Sequence, residues 1–290
     1  MTPFLTQPPN PDPRRPRLTC PPGAWDTHIH LFGPASRFDF DPQSPYRSAD
    51  ALPETYLELQ ARLGLSKAVI VSAGGYGRDT RHLLDVLERF PRRFVGVALP
   101  PEDLSDDEIE RMHRLGVRGV CFVSANRWSF LPPIMPELAA RVAERGWHVQ
   151  FHPSGTDLPD YEDALMKLPS DIVIDHFGNA PTSGGIDQPA FKALLRMLES
   201  GRVWVKMSGP MRCTKQEFPY SEIVPYAREL VRHAPDRVVW GSDWPHVNMN
   251  DRFMPNDGDL FDLLADWVPD EKARHKILVE NPEALYGDPS

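Results

Sequence analysis

A rhythm constrains this chain more than any single motif does. Eight short, β-branched apolar runs recur along it, each followed by a stretch whose apolar residues repeat at helical spacing. The runs are WDTHIHLF (25–32), KAVIVSA (67–73), RFVGVALP (93–100), VRGVCFV (117–123), WHVQFHP (147–153), DIVIDHFG (171–178), RVWVKMSG (202–209) and RVVWGSDWP (237–245). Between them the spacing predicts helices over about 54–63, stopping at Gly64, and over 79–90, where Leu83, Leu84, Leu87 and Phe90 form one stripe. Ser105 and Glu108 make a capping-box signature for a helix that ends at Gly116. Further helices are predicted over 136–145 and 161–167, up to about 199, after Tyr220, and in two stretches beyond Asp257.

Eight strand–helix units are the pattern of an α/β protein of the (β/α)8 TIM-barrel type. An open doubly wound sheet is the alternative, but no glycine-rich dinucleotide loop follows the first run. At 290 residues the chain accommodates a single barrel domain over 24–290. Residues 1–23 stand apart: they hold eight prolines, few large apolar side chains and no helical or strand period. This composition predicts an extended arm over the surface, and a candidate contact for a homo-oligomer.

The formal charge of −9, from 32 basic and 41 acidic residues, argues against a nucleic-acid partner. No window is long and apolar enough for a membrane span, and the N-terminus lacks the apolar core of a signal peptide. Three cysteines, Cys20, Cys121 and Cys213, are odd in number and far apart. A reduced, cytoplasmic setting is therefore expected rather than a disulfide framework.

In a barrel of this kind, the chemistry sits at the C-terminal ends of the strands. His28 and His30 end the first run, His152 the fifth, His176 the sixth and Asp243 the eighth. Strand alternation places Asp26, His28 and His30 on one face, with Trp25, Thr27, Ile29 and Leu31 on the other. It likewise groups His148 and Gln150 with His152, Ile174 with His176, and Val239 and Gly241 with Asp243, where Gly241 leaves space beside the carboxylate. Four imidazoles and a carboxylate then aim at one mouth, as a metal or acid–base site requires.

These residues also carry a resemblance. HIH in the first run, IDHFG in the sixth and WGSDWPH in the eighth resemble the amidohydrolase superfamily. From PPGAWDTHIHLFGP through GVRGV, GWHV and WGSDWPHVNM to NPEALYG, the chain is similar to the branch containing 2-pyrone-4,6-dicarboxylate lactonase. The resemblance implies a hydrolase that opens a carboxylated lactone, with His28, His30, His176 and Asp243 as its catalytic core. It implies substrate contacts at Tyr46, Arg127 and Arg212. Three positions depart: Cys121 stands where that branch has a carboxylate-binding arginine, His152 where it has a tyrosine, and Gly74 where it has a serine. Losing a bidentate arginine implies a substrate with one fewer anionic group, or one placed differently.

On this reading Asp243 takes a proton from the attacking water and returns it to the leaving oxygen, while the three histidines polarise the carbonyl. The metal question stays open. The branch is implied to work without an ion, yet His28, His30, His152 and Asp243 would complete a mononuclear site for zinc or a similar divalent ion. Lys206 lies on the seventh run and the fourth offers Cys121, which reads as a small buried thiol, so a lysine-bridged metal pair is not expected. Two alternatives within the superfamily also stay open. One is a metal-dependent non-oxidative decarboxylase, which the FHP of the fifth run favours; the other is a lactone isomerase.

Overall fold

The computed structural model describes residues 3–101, 103–124, 134–247, 249 and 252–287. Its centre is one parallel sheet of 8 strands. These are β1 (Trp25–Ile29), β2 (Lys67–Val71), β3 (Phe94–Ala98), β4 (Val117–Val123), β5 (His148–His152), β6 (Ile172–Ile174), β7 (Val203–Met207) and β8 (Val238–Trp240). Each pairs in parallel with the next in sequence. A parallel bridge from Ile29 to Trp244 joins the first unit to the last, so the sheet closes into the expected (β/α)8 barrel. Most strands are shorter than the apolar runs because the tails of the runs turn into the loops that carry the site.

One face of the strands fills the barrel. Trp25, Val69, Val71, Val95, Val97 and Cys121 form an interior cluster with Tyr286, whose ring stacks on Trp25 at 5.9 Å. The other face, including Ala68, Ile70 and Phe94, packs against the surrounding helices in the main core. The local signals hold where they are chemically definite. Helix Pro53–Leu63 stops at Gly64, which takes the left-handed conformation at φ 84, and Ser105 and Glu108 cap helix Asp106–Arg114 reciprocally. Beyond Asp257 the two expected stretches are several shorter pieces. Trp267 ends one of them, and Asp270, after Pro269, caps the next by accepting from the Ala273 N–H.

Two face assignments are corrected. Asp26 pairs with Ala68 and Ile29 with Ile70, three steps on β1 against two on β2, which is a bulge. Asp26 therefore points outward and accepts from the Tyr56 hydroxyl at 3.1 Å, while Trp25 lies inside; Asp26 does not share a face with His28 and His30. Ile174 packs outward in the main core, away from His176. His176 reaches the mouth because its backbone turns left-handed, at φ 49, rather than by alternation.

The arm is not wholly without regular structure. Phe4–Leu5 forms a short parallel pair with Tyr46–Arg47, and further along the arm the Arg17 and Leu18 N–H groups both donate to Asp262 Oδ1 at 2.8 Å. Among the described residues no helix is long and apolar enough to cross a membrane.

Candidate active site

The site starts from two imidazoles on and just after β1. His30 Nδ1 lies 3.0 Å from the Val71 carbonyl, and His28 Nδ1 lies 3.3 Å from Asp175 Oδ1. The two Nε2 atoms face each other at 3.3 Å, and a tautomer with both protons on Nδ1 would turn both Nε2 lone pairs to the same point. Asp243 Oδ1 stands 3.9 Å from one and 3.8 Å from the other. Burial lowers His28 despite the pull of Asp175, and burial together with His28 lowers His30 to about 3.

Asp243 follows β8 in a left-handed backbone conformation, φ 67, with its N–H donating to the His28 carbonyl at 2.9 Å. Arg212, on the turn Pro210–Cys213 after β7, grips the carboxylate through Nε at 2.7 Å and Nη2 at 3.1 Å. Burial opposes the charge on Asp243, but Arg212, His176 and His28 hold its carboxyl well below the usual carboxylate range. The glycine that gives this carboxylate room is Gly209, where a Cβ would lie 2.8 Å from Asp243 Oδ2. Gly241, expected in that role, instead makes room for His28, whose Cβ would be 2.7 Å away.

Beneath these groups lies a charged network that the sequence reading did not assemble. Asp175 Oδ2 accepts from Gln150 Nε2 at 3.0 Å and stands 3.6 Å from His152 Nδ1. Burial opposes its charge, yet His28 and Lys206 hold Asp175 well below the usual range. Lys206 is fully buried, donates to Gln150 Oε1 at 2.7 Å and to the Thr27 carbonyl at 2.8 Å, and is lowered by burial to about 8. Ser208 Oγ lies 2.9 Å from His176 Nδ1, and Asn179 Nδ2 lies 3.0 Å from His152 Nε2. Asp175 was legible as the neighbour of His176 within IDHFG.

The remaining expected residues divide. Tyr46 is buried and pushed up to about 12 by burial, with the charges of Arg212 and Asp243 close enough to act on it. Gly74 opens the turn Gly74–Tyr76. Cys121 is a free thiol inside the barrel, raised by burial, which suits packing rather than nucleophilic chemistry. Arg127 lies outside the described residues. His152 and Arg212 line a pocket of about 420 Å³ that also presents Met211, Val247, Met249 and Arg252.

His28, His30 and Asp243 each offer one ligand atom within 4.8 Å of the others, and the convergent lone pairs fit a small cation. His28, Asp175 and His176 form a second such group. His152 belongs to neither, its Nε2 being turned to Asn179.

Residues 25–287 match the amidohydrolase family, to which the chain therefore belongs. A 2-pyrone-4,6-dicarboxylate hydrolase of Comamonas testosteroni is 36% identical over 286 residues, 95% of this chain and 93% of that protein. A 4-sulfomuconolactone hydrolase of Rhizobium radiobacter is 38% identical over 280 residues, 93% of this chain and 92% of that one. Among solved structures, an Agrobacterium tumefaciens protein in its apo state is similar with a TM-score of 0.83 and 29% identity, over 93% of this chain and 98% of that one.

Proposed function

We propose that this chain hydrolyses a lactone that carries at least one carboxylate. The observation that carries the reading is the pairing of Asp243, which stands close to His28 and His30, with Arg212, which lines the pocket. A cyclic ester needs a base for water, a donor for the developing oxyanion and an anchor for the ring. Asp243 is the base. While Arg212 holds it, its proton affinity is low; a substrate carboxylate competing for Arg212 releases Asp243 to accept a proton from water and later to return it to the leaving oxygen.

The imidazoles take different parts. Ser208 donates its hydroxyl to His176 Nδ1, which leaves Nε2–H of His176 free to polarise the lactone carbonyl. His28 and His30 present lone pairs, so they orient the attacking water by accepting from it. A divalent ion held by His28, His30 and Asp243 would polarise the carbonyl and lower the pKa of bound water.

The test is ring opening of 2-pyrone-4,6-dicarboxylate and related carboxylated lactones, followed by loss of ring absorbance, in the wild type and in Asp243→Asn. The wild type is expected to turn over and the variant to lose about 10³-fold or more in kcat. Full turnover by the variant, or carbon dioxide release without ring opening, would remove the proposal.

The hydrolase relatives support a place in the breakdown of aromatic compounds, and the three unpaired cysteines support a cytoplasmic setting. Residues 24–290 are taken as one catalytic unit covered by the arm, whose exposed Phe4 and Leu5 suit a contact with a second copy. Sedimentation of the chain with and without residues 1–11 tests that contact, an unchanged mass refuting it.

A further inference from the structure

Among the described residues, two guanidinium groups line the pocket beside Asp243, and one of the two meets a carboxylate. Arg212 is paired with Asp243. Arg252 is half-buried in the same wall and spends two of its N–H groups on backbone, Nη1 on the Met211 carbonyl at 2.5 Å and Nη2 on the Gln216 carbonyl at 3.1 Å. It forms no ion pair with a carboxylate among the described residues. Carbonyl oxygens orient a guanidinium but leave its full charge uncompensated, and three of its five N–H groups remain for another acceptor. The Met211 carbonyl is one peptide from Arg212, so the contact also fixes where the second guanidinium stands relative to the first.

Cys121 bears on the same point. The resemblance expects an arginine there, whereas the thiol is packed among Val69, Val95 and Val97 inside the barrel and brings no charge to the pocket. The charge absent from the fourth strand is present on the loop after the eighth.

We propose that Arg252 is a second anion anchor of this pocket, taking a distal carboxylate or sulfonate of the substrate whose first carboxylate meets Arg212. The proposal rests on the lactone hydrolase reading and deepens it by naming the residue that holds a second anionic group. Met211, Val247 and Met249 supply the apolar wall against which the ring lies between the two anchors.

Calorimetry on the full-length chain, with non-chelating aromatic probes, tests the anchor without requiring turnover. Isophthalate, with two carboxylates, is expected to bind the wild type about tenfold more tightly than benzoate, with one. In Arg252→Gln, whose amide can still donate to the Met211 carbonyl, that preference should vanish while benzoate affinity stays within about twofold. Arg252→Lys, which keeps the charge, should retain most of the preference, and it carries the test if the glutamine variant does not fold. Absence of any isophthalate preference in the wild type would overturn the proposal. So would an equal loss for both probes in Arg252→Gln, which would reduce Arg252 to a brace for the 211–212 peptide. A chain that opens no lactone yet shows the isophthalate preference would sink the hydrolase reading and leave the anchor standing.

Discussion

Arg212 and Asp243 meet as two forks, Nε 2.7 Å from Oδ2 and Nη2 3.1 Å from Oδ1, with the Asp243 side chain only 1% exposed. A carboxylate held this way is a firm acceptor and a poor base. The same guanidinium lines the pocket, so on the proposed mechanism an anionic substrate that binds it would also release the base.

Arg212→Lys keeps the positive charge and loses the fork. Its kcat/KM on a carboxylated lactone is expected to fall about 100-fold, because a point charge cannot satisfy both carboxylate oxygens and then re-form the pair with substrate. Steady-state progress curves check this, and wild-type kinetics would show that the fork has no part in turnover.

Ser208→Ala removes the hydroxyl beside His176 Nδ1, which on the proposed mechanism sets the ring's tautomer. We expect kcat to drop about tenfold with KM within about twofold, and Ser208→Thr to restore most of the loss. A change confined to KM would assign Ser208 to substrate binding instead.

His148 lies low in the barrel interior, held down at about 3 by burial and by the Lys206 charge, from an ordinary value of 6.5. The folded state thus keeps the imidazole neutral where the unfolded chain takes up a proton. The stability associated with the neutral ring is fully present above 6.5 and is lost as pH falls through the window toward 3, at about 1.4 kcal/mol per pH unit. Urea unfolding at pH 7 and pH 5 should therefore show a shallower pH slope for His148→Gln than for the wild type; equal slopes would contradict it.

An ion at His28, His30 and Asp243 has to share the carboxylate with the positive charge of Arg212. Arg212→Met is accordingly expected to bind zinc at least about tenfold more tightly than the wild type, measured by competition with a chromogenic chelator. Equal affinities would move the ion to the group formed by His28, Asp175 and His176.

Local pattern carried most of the fold. The eight runs, the capping box at Ser105 and the stop at Gly64 are set within a few residues of chain, so they were visible without coordinates. What failed was face assignment. The bulge in β1 inserts a residue between Asp26 and Ile29, and no residue type in WDTHIH announces it. Ile174 points outward, so strict alternation would have put Asp175 inside; the left-handed turn at His176 then brings two adjacent residues to the site where the period allows one. The roles of Gly209 and Gly241 were crossed because room beside a side chain depends on which strand leans over it, a tertiary matter. Arg252 carried no signal at all, since an arginine in a loop reads as a solvated surface group until its carbonyl partners are known.

The seam of the barrel has a consequence for how activity can arise. His30 N–H donates to the Trp244 carbonyl at 2.7 Å and Asp243 N–H to the His28 carbonyl at 2.9 Å, so the histidines and their acid are stitched together across more than two hundred intervening residues. A chain halted before Trp244 during synthesis lacks the stitch that brings the carboxylate to the imidazoles. Fragments cut between the two ends are therefore expected to be inert apart and to turn over lactone only when mixing re-forms that junction.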